Sequence, residues 1–149
     1  MIKKVLVAYF SLTGNAEKMA QFVSEGVRFT GNQAVMKKIS ELKKAEDLAG
    51  YDGYIFGCST YHHDMTDAMK TFLFLGRKAG LEGKLAGAFG SYTHDPVAPK
   101  MILDTMQYVY KMEPFELGAF NLKEPLADTN DGMRACQAYG KAFGEKLGS

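Results

Sequence analysis

The sequence has few cysteines, little net charge and no long apolar run, and each shortage narrows the class of protein. Only two cysteines occur among its 149 residues, which suits neither a disulfide framework nor a multi-cysteine metal site. Lys and Arg side chains number 18 against 17 Asp and Glu, giving a formal net charge of +1. No global field therefore recruits nucleic acid or an anionic membrane, and any ligand must be bound at a local site.

The first apolar segment is short. "VLVAYF", residues 5–10, follows two lysines and lacks the length of a signal sequence or a bilayer span. Together with the unpaired cysteines, this predicts a soluble cytoplasmic protein. The chain length suits one domain, and the sequence contains no internal repeat, low-complexity tract or linker, so we expect a single domain over residues 1–149.

Apolar runs of strand length alternate with helical periodicities along the chain. Strands are predicted at 5–10, 33–39, within 51–59, at 84–90 and at 115–120. The intervening periodicities predict helices at 15–29, after residue 64, around 102–109 and toward the end of the chain, with at most a short helix in 40–50. Right-handed crossovers then require an α/β fold, a five-stranded parallel sheet with helices on both faces.

Polar loops follow three of the predicted strands. They are Ser11–Ala16, Ser59–Asp64 and Ser91–Pro96, and all three histidines of the chain lie in the last two. Ligands of such sheets bind outside the carboxyl ends of the strands, where the strand order reverses. The three loops are therefore the predicted ligand edge.

The first loop, "SLTGNA", carries no charged side chain. It suits a helix cap, and it also suits an anion site of hydroxyls and backbone amides at a helix N-terminus. It is neither GxxxxGK[ST] nor GxGxxG, which excludes the nucleoside-triphosphate loop and the usual dinucleotide fingerprint. Ser11, Thr13, the Asn15 side chain and the helix dipole could still hold a phosphate dianion.

The segment "YFSLTGNAEKMA" resembles the phosphate loop of the flavodoxin family, S/T-x-T-G-N-T. Ser11, Thr13, Gly14 and Asn15 match, whereas Ala16 stands where the family usually has a hydroxyl donor. "GCST" at 57–60 and "FGSY" at 89–92 are similar to the two flavin loops of short-chain flavodoxins. The resemblance implies a flavodoxin-like doubly wound sheet of order 2-1-3-4-5 and one non-covalent FMN.

The resemblance also implies where FMN lies. Its phosphate goes to the first loop and its isoalloxazine lies between the second and third loops, with Tyr61 on one flank and His94 or Tyr92 on the outer face. The implied cofactor-binding residues are Ser11, Leu12, Thr13, Gly14, Asn15, Ala16, Ser59, Thr60, Tyr61, His62, His63, Asp64, Ser91, Tyr92, Thr93 and His94.

The second loop departs from the family. Short-chain flavodoxins often carry glycine there, whose peptide flips on reduction, but residues 61–64 contain none, and positive φ is costly for such residues. We expect instead that His94, or one of His62 and His63, raises the potential of the fully reduced flavin and makes it pH-dependent between about pH 5 and 8. A metal is not expected at His62-His63-Asp64, because consecutive residues of an extended loop point in different directions.

Three functions remain open. The favoured one is a low-potential electron carrier between redox partner proteins, rather than an enzyme with its own small-molecule substrate, because the loops are short and no second cofactor motif occurs. The alternatives are an FMN-dependent NAD(P)H:quinone-type reductase and a flavodoxin-like binding module without redox chemistry. The oligomeric state is open, with a monomer favoured. Acidic residues expected near the flavin edge as a negative rim are Asp64, Asp67, Asp95, Asp128 and Asp131.

Overall fold

Five parallel strands form one sheet in the computed structural model, which describes residues 2–148. The strands are β1 Lys4–Phe10, β2 Gln33–Lys38, β3 Gly53–Cys58, β4 Leu85–Tyr92 and β5 Glu113–Lys123. Their order is β2-β1-β3-β4-β5, which confirms the predicted flavodoxin-like topology. Met1 and Ser149, part of the predicted domain, lie outside the described residues.

Over residues 2–148, four helices cover the two faces of the sheet: α1 Asn15–Arg28, α2 Asp67–Gly76, α3 Ala98–Tyr108 and α4 Asn130–Gly148. Successive strand side chains point to opposite faces, so the apolar runs serve two cores. Val5 and Val7 of β1 pack with α1 and α4, whereas Leu6 and Ala8 pack with α2 and α3. A strand buried on both faces explains why "VLVAYF" is apolar throughout.

Two strands extend beyond their predicted bounds. β4 continues through Ser91 and Tyr92, which pair with Leu122 and Lys123 of a β5 that is also longer than predicted. The extension was not predicted because the residues at these strand ends include polar ones, and the hydrogen bonds between strands involve only the backbone, so residue type does not indicate them. Short 3-10 turns at Ile39–Glu41 and Ala45–Leu48 agree with the expectation of at most a short helix in 40–50, whereas Ile39, predicted at the end of the second strand, lies just beyond β2.

Helices α1 and α4 cross at very close range. A Cβ atom at Gly140 would lie 2.0 Å from the carbonyl oxygen of Val23, and one at Gly26 would lie 2.0 Å from that of Gln137. Only glycine permits this approach of two backbones. The contact fixes α1, and with it the loop that precedes α1, against the sheet.

A bulge interrupts the ladder between β4 and β5. Ala86 pairs with Pro114 but Ala88 pairs with Ala119, so four residues of β5 lie opposite Gly87 alone. Of these four, Phe115 packs into the core and Gly118 has φ 71°. The hydroxyl of Tyr139 donates to the carbonyl oxygen of Gly118 at 2.7 Å and accepts from the amide of Ala88 at 3.2 Å. One buried side chain from α4 thus hydrogen-bonds a backbone group of each strand at the bulge.

Candidate functional site

The first loop opens α1 without a side-chain cap. Gly14 occupies the N-cap position at φ 95°, and neither the hydroxyls of the loop nor the Asn15 amide accepts a bond from the first helical turn. The amide of Gly14 instead donates to the hydroxyl of Ser11 at 2.9 Å. The helix-cap interpretation of this loop is therefore wrong as regards its side chains.

The amide groups at the start of α1 remain free. Within residues 2–148, the N–H groups of Thr13, Asn15 and Ala16 have no protein acceptor, and the Thr13 hydroxyl is exposed without a partner. Ala16 can offer its N–H but no side-chain donor, because its side chain is a methyl group. Uncharged donors at the positive end of a 14-residue helix fit a phosphate dianion.

The second loop is a tight reverse turn. His62 and His63 both adopt positive φ, at 50° and 61°, and Tyr61 and Asp64 exchange backbone hydrogen bonds of 2.8 and 3.0 Å. Positive φ at both central residues is the geometry of a type I′ turn, which usually carries Asn or Gly. Two histidines therefore adopt left-handed backbone conformations in this turn, which contains no glycine from which they could be predicted.

The second and third loops are tied together beneath their surface. The hydroxyls of Ser59 and Ser91 lie 2.6 Å apart and are buried, and the amide of Thr60 donates to the carbonyl oxygen of Ser91 at 3.0 Å. The Thr60 hydroxyl accepts from the amide of Ala98, the first residue of α3, at 3.0 Å. These bonds fix the separation of the two loops.

A pocket of about 360 Å³ opens between these two loops. A contact between the Nδ1 atom of His63 and the Asp95 carboxylate joins them across it. The exposed side chains of His62, His63, Thr93 and His94 leave the pocket accessible to solvent. The lining residues are Thr60, Tyr61, His62, His63, Thr93, His94 and Asp95.

The structure separates the predicted site residues into groups. Six of them line this pocket, whereas Ser59 and Ser91 lie under it with their hydroxyls paired. Tyr92 is half-buried in β4 and does not line it. Asp95 lines the pocket but was predicted only as part of the acidic rim, since nothing in the sequence indicated its contact with His63.

The first loop borders a second pocket, of about 370 Å³, on the β2 side. Ser11, Leu12 and Gly14 form part of its wall. The Tyr9 hydroxyl donates to Glu17 at 2.9 Å, and burial followed by that hydrogen bond raises the pKa of Tyr9 to about 12. Tyr9 and Glu17 were predicted only as parts of a strand and a helix, so this pocket was not predicted.

The predicted negative rim is largely neutralised by internal pairing. Lys70 binds Asp64 at 2.5 Å, Lys18 contacts Asp128, and Arg134 lies 4.0 Å from Asp131. The Lys70 hydrogen bond, with that from the Met65 amide, lowers the pKa of Asp64. Asp95 contacts the Nδ1 atom of His63, and Asp67 lies near enough to Lys70 to contribute to the raised pKa of that lysine.

The cysteines show no reactive environment. Burial raises the pKa of Cys58, which ends β3, and raises that of Cys136 to about 12. Both thiols are fully shielded from solvent, so they are poor nucleophiles. Over residues 2–148 no cluster of three or more His, Cys, Asp or Glu side chains is placed to hold a metal, and no helix has the length and apolarity to cross a bilayer.

The sheet order, the free amides of the first loop and the pocket at the same sheet edge define an α/β protein of the flavodoxin-like class. The chain belongs to the flavodoxin family, whose family model, described as flavodoxin, matches residues 7–130. FMN is the cofactor of this family, and the uncharged donors of the first loop fit its phosphate. A redox role in partnership with other proteins is typical of flavodoxins.

Solved flavodoxins match the chain over nearly its whole length. A flavodoxin from the domain Archaea superposes with a TM-score of 0.87 at 24% identity, covering 98% of this chain and 99% of that one. Oxidised flavodoxin 1 from Bacillus cereus superposes with a TM-score of 0.82 at 25% identity, covering 95% and 97%. The first of these likenesses concerns the fold alone.

Curated relatives match a smaller part. A protein of Rhodopseudomonas palustris (strain BisA53) named NAD(P)H dehydrogenase (quinone) is 38% identical over 111 residues, covering 59% of this chain and 56% of that protein. A protein of the same name from Afipia carboxidovorans is 37% identical over the same length. The chain thus spans about half the length of the curated relatives it matches.

Proposed function

We propose that the chain is an FMN-binding electron carrier that exchanges electrons with redox partner proteins. The observation that carries this proposal is the open pocket between the second and third loops, whose lining residues His62, His63 and His94 are exposed. A flavin seated there keeps an edge within reach of a docking protein. The near end-to-end match to the Bacillus cereus flavodoxin supports the same interpretation.

In this proposal the first loop binds the phosphate. The amides of Thr13, Asn15 and Ala16, the Thr13 hydroxyl and the Asn15 side chain are the donors that have no protein acceptor in the described structure. The Ser11 hydroxyl accepts from Gly14 and keeps its own proton to donate. No cation is required, because the helix dipole favours the negative charge.

The other two loops hold the ring system. When bound, FMN supplies the capacity to accept and release one or two electrons. Tyr61 and His94 offer planar side chains to the pocket, and the Ser59–Ser91 pair holds their loops at a fixed separation. The His63–Asp95 contact restrains the rim at the solvent side.

The named curated relatives favour a second candidate, an FMN-dependent reductase of quinones that uses NAD(P)H directly. They are 38% and 37% identical to the chain over 111 residues each. The solvent-accessible pocket admits a small planar acceptor as readily as it admits the edge of a partner protein. The two candidates therefore differ in what approaches the flavin, not in how the flavin is held.

A steady-state assay separates the two candidates. The purified, FMN-loaded protein is mixed with NADH or NADPH and benzoquinone, and nucleotide oxidation is compared with that of the same concentration of free FMN. A carrier adds nothing to the free-FMN rate, yet after reduction with dithionite it passes electrons to cytochrome c. Quinone-dependent turnover well above the free-FMN rate would identify the reductase instead.

We also propose that the chain acts as one domain and as a monomer in the cytoplasm. The described residues form a single sheet covered on both faces, which supports one cooperative unit. Light scattering of the purified protein tests whether it is a monomer. Unfolding monitored by flavin release and by circular dichroism tests the single domain, which predicts that both signals report one shared transition.

A further inference from the structure

An apolar groove of about 260 Å³ lies between α2 and α3 on the outer surface of the molecule. One wall is formed by Leu73, Phe74 and Arg77 of α2, and the other by Thr105 and Val109 at the end of α3. The lining residues 70, 73, 74 and 77 are spaced three or four apart or adjacent, and 105 and 109 are four apart. Residues at this spacing lie on one face of a helix, so each wall is one helix face. The groove runs along both helices.

The walls of this groove expose large apolar side chains. Phe74 is 67% exposed and Val109 is 56% exposed, and Tyr108 and Met101 extend the exposed surface along α3. Single exposed apolar residues are ordinary, but a contiguous group around a groove is typical of an interaction surface. Burying the Phe74 and Val109 side chains against a partner would contribute a favourable hydrophobic term.

The charge of the groove has one sign. Its lining contains no carboxylate and two cations, Arg77 and Lys70, of which Lys70 already pairs with Asp64. The Arg77 guanidinium lies 4.1 Å from the centroid of the Phe74 ring and has no carboxylate partner in the described structure, so its donors are free. Lys78 follows Arg77 outside the groove lining, and it is exposed and forms no ion pair among residues 2–148.

The groove begins beside the proposed flavin site. Met65 lines the groove and directly follows Asp64, the last residue of the second loop. The Asp64 carboxylate pairs with Lys70, another lining residue, at 2.5 Å. From Lys70 to Arg77 a helix rises about 10 Å, which is two turns. A partner element seated in the groove therefore contacts the molecule next to the pocket rim.

We propose that this groove docks an acidic amphipathic helix of the protein that exchanges electrons with the flavin. The helix would insert two apolar side chains between Phe74 and Val109 and set carboxylates against Arg77 and Lys78. A second copy of this chain is a poorer occupant, because a two-fold contact would bring Arg77 and Lys78 of both copies together. The partner's redox role rests on the proposed function, whereas the docking itself does not.

The test uses two synthetic helical peptides of about 16 residues, each with leucines at helical spacing on one face. One carries glutamates beside the leucines and the other carries lysines at the same positions. Each is titrated into the ¹⁵N-labelled, FMN-loaded protein, and amide shifts are mapped. The proposal predicts shifts around residues 70–78 and 101–109 for the acidic peptide, with affinity at least about tenfold above the basic peptide and falling with salt.

Matched variants locate the contact. Arg77→Glu and Phe74→Ser should each weaken acidic-peptide binding by about tenfold, whereas Phe29→Ser, which removes an apolar side chain 60% exposed on the α1–α4 side, should leave it unchanged. Circular dichroism checks that each variant is folded. Equal binding of both peptides, or shifts away from the groove, overturns the proposal, as does dimerisation that Phe74→Ser abolishes. The result of the quinone assay does not depend on peptide binding, so the docking proposal and the carrier proposal can be refuted independently of each other.

Discussion

At the scale of the residue, the turn at His62 and His63 stands out because it uses two L side chains where glycine is favoured. Positive φ places Cβ close to the following carbonyl oxygen, and this conformation costs free energy for every residue except glycine. The turn persists because Tyr61 and Asp64 close it with two backbone hydrogen bonds and Lys70 anchors Asp64. Strain at a loop that lines a pocket is common where a loop shape serves a ligand.

Relief of that strain is measurable at His62, whose side chain has no hydrogen-bond partner in residues 2–148. His62→Gly should raise the free energy of unfolding of the FMN-free protein by about 1 kcal/mol in urea titrations, after the larger backbone entropy of glycine in the unfolded chain is included. His94→Gly serves as the control, because His94 is not at positive φ, and it should not stabilise. Equal effects of the two substitutions would refute the strain.

The Ser59–Ser91 pair gives a second residue-scale prediction. Ser59→Ala leaves the buried Ser91 hydroxyl without its partner and the Ser91 amide without its acceptor at 3.4 Å, so we expect a loss of about 2 kcal/mol in the free energy of unfolding. Ser59→Ala/Ser91→Ala should be less destabilised than the sum of the single variants. Additive losses would show that the two hydroxyls do not depend on each other.

The pH dependence at Asp64 follows from its lowered pKa. Because the Lys70 hydrogen bond lowers the folded-state pKa, ionised Asp64 adds stability above its unfolded-state pKa of about 3.9, and this stability is lost as the pH falls through the folded-state value. The gap in unfolding free energy between the wild type and Asp64→Asn should therefore be larger at neutral pH than in acid. In a Lys70→Gln background the gap should change less with pH, and an unchanged pH profile there would rule out Lys70 as the cause.

At the scale of the element, Tyr139 links three parts of the fold. Its hydroxyl bonds the amide of Ala88 in β4 and the carbonyl of Gly118 in the β5 bulge, while the ring stacks on Phe120 at 5.3 Å. Burial raises the pKa of Tyr139, so it stays protonated and keeps its donor. Helix α4 thereby stabilises the edge of the sheet that leads to the third loop.

Tyr139→Phe tests this link. The buried amide of Ala88 and the partly buried carbonyl of Gly118 lose their partner, so the free energy of unfolding should fall by about 2 kcal/mol, and the amide of Ala88 should exchange with solvent faster than in the wild type. Tyr108→Phe, at a tyrosine 64% exposed, should change stability by less than about 0.5 kcal/mol. A Tyr139→Phe protein as stable as Tyr108→Phe would contradict the role of the hydroxyl.

Element by element, the sequence predicted whatever depends on side-chain periodicity. The strand "VLVAYF" and the helix at 15–29 were predicted correctly to within one residue. A strand buried on both faces is apolar throughout, whereas a helix buried on one face has apolar residues at intervals of three and four, so the two patterns are distinct. The extension of β4 through Ser91 and Tyr92 was missed, because backbone pairing with Leu122 and Lys123 leaves no mark on residue type. The turn at His62 was missed because residue types other than glycine and asparagine rarely adopt positive φ, so two histidines do not indicate such a turn.

At the scale of the whole molecule, the alternation of strands and helices predicted the parallel α/β class, and the resemblance to flavodoxins implied the sheet order, but the charge distribution was not predictable. The three polar loops at one edge predict the site. The pairing of Asp64 with Lys70 and of Asp128 with Lys18 brings together residues 6 and 110 positions apart, and composition cannot show it. The acidic rim was therefore overestimated, and the cationic groove was not predicted.

The most direct test is a titration of the ¹⁵N-labelled, FMN-free protein with FMN and, separately, with riboflavin, which lacks the phosphate. The proposed site predicts one FMN per chain, amide shifts at 60–63 and 93–95 with both ligands, and shifts of Thr13, Asn15 and Ala16 with FMN only. Riboflavin should bind at least about tenfold more weakly, because it leaves those amides unpaired. Equal affinity for the two ligands, or FMN binding that leaves Thr13, Asn15 and Ala16 unshifted, would contradict the assignment of the first loop to the phosphate.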